Sequence, residues 1–469
     1  VSDEVPGRFA YQGVHRYLGA LIESVAWGHS TRLPSLRELA RQLGVSVSTV
    51  KYAYALLEDE GRVVSRARCG YYVCPPGGHD SSPSDEEGGG ELLARMLYQS
   101  HRPGMRLLSQ SMPWAALPLL PALHRGERQV LRQCPSLARA VAHPCGDVEL
   151  RGVLAARYSC SAAHTWSADD VYLGIDARST LRWFVEALNL RGHAVLVVSP
   201  CAWSTLHTLR DAGVRVIEIP LCARGRLDVQ ALSRLLRAQA IGWVLLDSAT
   251  SSPHGSLMPI DDRRAIARLL DELGIWLLEN DLEGDLCFSP TPRLRELVNP
   301  QRLVIFASLD STFGAEAGYG YLLSRHYRQA LRRVFFERAT PLPPVRQKAL
   351  ARLFRSGMAD RHLHDLRHGL EGRLGRLQAQ VRVCLGEHLE CAPAAGGSTL
   401  WARCRYPVDG RRVFERLLAQ HIVVAPGELF SLHGLCRQHL LLACPVDPMA
   451  DLHELCLSLA WALERERLE

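Results

Sequence analysis

The sequence predicts an α/β chain in two parts, a small N-terminal winged helix-turn-helix and a large domain built on a mostly parallel sheet. Three observations carry this expectation. Two short amphipathic repeats flank Gly44, the stretch PPGGHDSSPSDEEGGGE at Pro75–Glu91 breaks all apolar periodicity, and beyond it short apolar runs alternate with helical stretches. At 469 residues the chain exceeds one ordinary domain and can bury a large core.

In the N-terminal block, Leu36, Leu39, Ala40 and Leu43 fall at helical spacing, and so do Val50, Ala53, Tyr54 and Leu57. Gly44 can take the positive φ that ends the first helix, and Ser46 can cap the second. Two short helices joined by a tight glycine turn form a helix-turn-helix. The segment RVVSRARCGYYV then alternates as a β-hairpin with Arg66 and Arg68 near its tip, which makes the unit winged. In the major groove of double-stranded DNA the second helix would present Ser46, Ser48, Thr49, Lys51 and Tyr52. A winged helix that binds protein instead is the plain alternative.

The low-periodicity stretch reads as a flexible acidic linker over 76–92, dividing a DNA-binding block at 1–75 from a large block at 93–469. In the large block, strands are expected at Ala194–Val198, Val214–Ile219, Gly242–Leu246, Ile275–Leu278 and Leu303–Ala307.

Composition narrows the class of protein. Apolar content of 47% with 22% charged residues is that of a globular chain, and no apolar run approaches the roughly 18 residues a membrane span needs. The start, VSDEVPGRFA, carries acids where a signal peptide would carry a basic region, so a cytoplasmic location is expected. Fourteen cysteines without a CxxC pair argue against a zinc ribbon or a thioredoxin-like redox pair, and buried reduced thiols are expected. A net charge of +6 permits an acidic partner without requiring one. Of the 55 basic side chains only Lys51 and Lys348 are lysines.

LPSLRELARQLGVSVSTVKYAYALLEDEG resembles the GntR superfamily pattern LPSxRxLAxxLGVSRxTVxxAYxxLxxxG. The resemblance implies DNA contacts from Arg37, Ser46, Thr49, Tyr54, Arg66 and Gly70. Val47 stands where the family has arginine and Arg68 where its wing has glycine, which implies an unusual operator.

The large block resembles the aminotransferase-type domain of MocR regulators, of the fold-type I pyridoxal-phosphate class. SSPHGSLMP is similar to QNPLGxxMP, LLENDLEGDL to EDDxYGDL, RHLHDLRHGL to the HLRRLR helix, and VAPGELFS to APGxxFS. That cofactor needs a primary amine, a carboxylate against its pyridinium nitrogen, and backbone amides with an arginine for its phosphate. By alignment with the family motifs, Ser311 stands at the lysine and Gly318 at the arginine. Asn280 replaces the pyridine carboxylate, Glu283 the tyrosine and Ser252 the asparagine, while Asp176 opens the phosphate turn DARSTL. Leu441 replaces the arginine that grips the substrate carboxylate. Lys348 is the only lysine beyond the linker, and arginine forms no Schiff base at its high pKa.

The reading is therefore a homodimeric, DNA-binding transcriptional regulator with a degenerate aminotransferase-like domain for dimerisation or for sensing an unidentified small-molecule effector. No cofactor and no enzyme activity are expected. The alternatives are a regulator that holds pyridoxal phosphate noncovalently, a transaminase with a DNA-binding head, and a thiol-based redox sensor. Among smaller signals, His362, His364 and His368 could suggest a metal, but a structural or solvated role is expected. Trp183, Trp203 and Trp401 are expected in the core, with a remodelled pocket as the alternative.

Overall fold

The structure is a computed structural model that describes residues 14–15, 17–18, 33–59, 63–66, 70–73, 83–109, 112–136, 142–222, 225–338, 342–445 and 451–468. The chain divides into two compact units, Val1–Gly88 and Gly89–Glu469.

In the first unit, the Ser35 hydroxyl accepts the Glu38 N–H at 3.3 Å and starts the helix Leu36–Leu43, which Gly44 ends at φ 64°. Ser46 then accepts the Thr49 N–H at 3.1 Å and starts the helix Val47–Asp59. Leu39, Ala40, Val50, Ala53, Tyr54 and Leu57 bury their side chains against one another and against Val63. Strands β1 (Val63–Arg66) and β2 (Gly70–Val73) pair antiparallel, with Arg66 opposite Gly70. The Leu33 N–H donates to the Tyr71 carbonyl at 2.8 Å and ties this hairpin to the entry of the first helix.

Pro83–Ser100 is one helix, so the second half of the 76–92 stretch is not extended chain. Leu92, Leu93 and Met96 seat its apolar face in a core, and tertiary packing of that face overrides the weak propensity of the glycine run before it.

Short β3 (Arg106–Leu107) pairs in parallel with β13 (Ile422–Val423). The main sheet contains β4 (Val171–Gly174), β5 (Ala194–Ser199), β6 (Arg215–Pro220), β7 (Trp243–Asp247), β8 (Trp276–Asn280), β9 (Leu303–Ser308) and β10 (Gly320–Ser324). Its seven strands run in the order β4-β10-β9-β8-β7-β5-β6, and only β10 is antiparallel to its neighbours. Ala194 and Leu196 of β5 join the core on one face, and Val195 and Val197 the core on the other. Both faces are thus covered, which is why these strands read as continuous apolar runs.

The chain then forms an antiparallel sheet, β11 (Leu389–Cys391), β12 (Thr399–Cys404), β15 (His439–Ala443) and β14 (Ala425–Pro426), in that spatial order. The long helix Met358–Leu385 leads into it, and the helix Leu452–Leu468 packs beside that helix.

Candidate functional site

In an open parallel sheet, ligand-binding loops lie beyond the carboxyl ends of the strands. Here β4 ends just before Asp176, β7 ends at Asp247, β8 at Asn280, and β9 just before Asp310 and Ser311. Antiparallel β10 begins at Gly320, opposite both Gly174 and Ser308, which brings Gly318 to the same edge. The expected positions 176, 280, 311 and 318 are therefore assembled by topology.

At the centre of this edge, Asn280 Nδ2 donates to Asp247 Oδ1 at 2.6 Å, and the Ser252 N–H donates to Asp247 Oδ2 at 2.9 Å. Burial pushes the Asp247 carboxyl up to about 7 despite these donors. Burial also raises Glu283, which faces the Ser252 hydroxyl. Asp247 carried no motif in the sequence, and only the register of β7 with β8 pairs it with Asn280.

The residues on either side of Asn280 do a different job. Arg295 donates from its backbone N–H and its guanidinium to the two Glu279 oxygens, each at 2.9 Å, and lies 3.3 Å from Asp281 Oδ2. Its guanidinium also covers the Tyr158 ring at 4.5 Å, and the Tyr158 hydroxyl donates to Asp281 at 2.6 Å. Ser248 donates to the other Asp281 oxygen. Burial works against ionising Asp281, but Arg295, Arg293 and the two hydroxyls hold it below the usual carboxylate range. Burial raises Glu279. This is a buried structural network beneath the site.

At the other end of the edge, the Asp176 carboxylate caps the helix Ala177–Ala187, accepting the Ser179 N–H at 2.7 Å and the Ser179 hydroxyl at 3.0 Å. An anion at a helix N-terminus would need those donors. Burial raises Asp310, and the charge of Asp176 raises it further. A Cβ on Gly318 would stand 3.2 Å from Asp310 Oδ1. The Ser311 hydroxyl donates to the Leu282 carbonyl at 2.8 Å. Trp203 lies half-buried with the Arg178 guanidinium 5.3 Å from its ring.

Three other expectations resolve into packing. Leu441 on β15 is 5% exposed and registers with Trp401 and Ala425. Trp401 lies in that core, and half-buried Trp183 packs edge-on against Phe335. His362 is buried against the Thr312 carbonyl at 2.9 Å, while His364 and His368 are exposed. Among the described residues, no group of three or more His, Cys, Asp and Glu is placed to hold a metal ion.

Lys348 sits elsewhere. Its Nζ is 2.6 Å from Glu149 and 3.2 Å from Asp147, at the start of the helix Val148–Tyr158.

In the first unit, Arg37, Ser46, Ser48 and Lys51 are exposed and Thr49 is half-buried. Ser46 also shares hydrogen bonds with the hydroxyls of Ser48 at 2.8 Å and Thr49 at 2.7 Å. Tyr54 corrects the expectation of a DNA contact: it is fully buried, stacks on Tyr71, and donates its hydroxyl to the Pro34 carbonyl at 2.7 Å. Its position at helical spacing with Val50 and Leu57 is the signal for that core role. Arg66 and Gly70 lie on the paired strands, Tyr52 lies on the second helix, and Arg68 falls outside the described residues.

Comparison with known proteins agrees with this architecture. Residues 10–73 match the bacterial regulatory proteins of the gntR family. The uncharacterized HTH-type transcriptional regulator YjiR of Escherichia coli is 26% identical over 94% of this chain and 96% of its own. The probable rhizopine catabolism regulatory protein MocR of Rhizobium meliloti is 22% identical over 93% and 91%. A multiple substrate aminotransferase from Thermococcus profundus shares the fold at a TM-score of 0.72, with 17% identity over 80% of this chain and 95% of that one. No helix among the described residues is long and apolar enough to cross a membrane. Residues 136–458 match aminotransferase class I and II, and the chain belongs to that family, carried behind a GntR-type helix-turn-helix.

Proposed function

We propose that this chain is a DNA-binding transcriptional regulator whose aminotransferase-like unit has lost pyridoxal phosphate chemistry and serves as a dimerisation or ligand-sensing module. The observation that carries this reading is Ser311. Where the resemblance puts the Schiff-base lysine, the side chain is a hydroxyl already bonded to the Leu282 carbonyl. Lys348, the only lysine of this unit, is held by Asp147 and Glu149.

The rest of the donor set does not fit the cofactor either. The pyridine position offers the Asn280 amide, itself donated to Asp247. The phosphate position offers the Asp176 carboxylate, which already takes the helix N–H a phosphate would use. Like charges at that range repel, so the site disfavours a phosphate. A transaminase with a DNA-binding head would need an amine that this site lacks.

Relatives named as HTH-type regulators over nearly their whole length support the DNA-binding role. The exposed face of Arg37, Ser46, Ser48 and Lys51 supplies the donors for duplex backbone and bases. A two-fold dimer would present two such heads to paired half-sites. The test is selection of duplexes from a random pool by the full chain, followed by salt titration of the winner. Arg37→Ala should lower the salt slope by about one, as loss of one phosphate contact does. Failure to enrich any duplex would refute the DNA-binding role.

A further inference from the structure

The aminotransferase site leaves one reactive constellation unused, and it lies between the two helices that frame the C-terminal sheet. Cys384 stands in the last turn of the helix Met358–Leu385, and Gln380 precedes it by one turn on the same face. His453 stands at the start of the helix Leu452–Leu468, where the Asp451 carboxylate accepts the backbone N–H groups of His453 at 2.9 Å and Glu454 at 3.1 Å. Packing of the two helices brings His453 Nδ1 to 3.3 Å from Cys384 Sγ. The Gln380 amide nitrogen donates to the same sulfur at 3.1 Å and lies 2.6 Å from His453 Nδ1.

We infer that Cys384, with His453 as its base and Gln380 as a donor to its sulfur, is a site of reversible oxidation by hydroperoxides. A thiol becomes a nucleophile as its thiolate, and an imidazole in hydrogen-bond reach takes the proton. In the reaction His453 takes the thiol proton and the sulfur attacks one peroxide oxygen. The S–O bond forms as the O–O bond breaks, and the leaving oxygen departs with the proton from His453, as water from hydrogen peroxide or as an alcohol from an organic hydroperoxide. Sulfur is oxidised by two electrons and the peroxide is reduced by two, leaving a sulfenic acid that a thiol can return to cysteine.

Other thiols of the chain set the contrast. Cys160 and Cys222 are exposed, whereas Cys384 is half-buried. Among the described residues, neither exposed thiol has an imidazole within hydrogen-bond reach, so exposure and activation are separated in one molecule. The neighbouring Cys456 is fully enclosed, and burial pushes its thiol up to about 12, which keeps it protonated.

The full reduced chain is exposed to equimolar hydrogen peroxide, trapped with a 1,3-diketone sulfenic-acid probe, and mapped by mass spectrometry of its cysteine peptides. Cys384 should label at least about tenfold faster than Cys160 and Cys222, because activation outweighs exposure. His453→Gln should slow Cys384 by about tenfold or more and leave Cys160 and Cys222 unchanged. Gln380→Leu, which keeps the helix and the imidazole, should slow it by a smaller factor. Faster labelling of the exposed thiols, or an unchanged rate in the His453→Gln chain with the parent's unfolding temperature, overturns the assignment.

Discussion

Restoring an amine at Ser311 separates a site that lacks one residue from a site rebuilt throughout. The Ser311→Lys change gives up the bond to the Leu282 carbonyl, about 1 kcal/mol, and supplies the nucleophile. It leaves Gly318 where a guanidinium would bind phosphate, Asn280 where a carboxylate would face the pyridinium, and Asp176 on the helix N–H. A charge-assisted hydrogen bond contributes about 1.5–3 kcal/mol, so these three losses together come to about 4.5–9 kcal/mol. At about 1.4 kcal/mol per tenfold, that is a thousandfold or more in affinity. Titration of the Ser311→Lys chain with near-stoichiometric pyridoxal phosphate, followed by absorbance and by borohydride trapping, should show no lysine-bound cofactor and no transamination. A saturated, trappable complex at that ratio would refute the reasoning and mark the rest of the pocket as intact.

Other consequences are checked on the folded chain. Arg295→Gln leaves Glu279 and Asp281 buried without their countercharge, and denaturant unfolding should show a loss of about 3–5 kcal/mol from the second unit. Asp247 rises from 3.8 to about 7 in the folded chain, so between those values the folded state keeps a proton the unfolded state has lost. Its contribution to stability therefore falls as pH rises through that window, by on the order of 4 kcal/mol across it, and Asp247→Asn should flatten the decline. Tyr54→Phe removes a buried hydroxyl donor from the Pro34 carbonyl and should destabilise the helix-turn-helix by about 1 kcal/mol, with the salt slope of DNA binding unchanged. A changed slope would return Tyr54 to the DNA face.

Much of this molecule is legible in its sequence, for reasons that differ by element. The sequence places strands β5, β6, β7, β8 and β9 to within two residues, because a sheet covered on both faces leaves an uninterrupted apolar run. The edge strand β4 and antiparallel β10 were missed, since VYLG and GYLLS are too short to tell from buried helix by periodicity. The helix Pro83–Ser100 was hidden by its glycines, and packing of Leu92, Leu93 and Met96 decided it. Asn280, Ser311 and Asp176 were found by motif. Asp247, Asp310 and Arg295 gain their roles only from sheet register and from the loops that β9 and β8 feed, which no local spacing encodes. Tyr54 was placed on DNA by resemblance, although its own spacing with Val50 and Leu57 marked it as core.

The central claim is that the aminotransferase-like unit no longer uses pyridoxal phosphate, and the optical spectrum of the purified full chain addresses it most directly. With pyridoxal phosphate added at increasing ratio and the free cofactor removed by gel filtration, the protein fraction should carry no cofactor absorbance, and its affinity for the selected duplex should be unchanged. Cofactor that travels with the protein at one per chain, or a duplex affinity that shifts with added pyridoxal phosphate, would contradict the account.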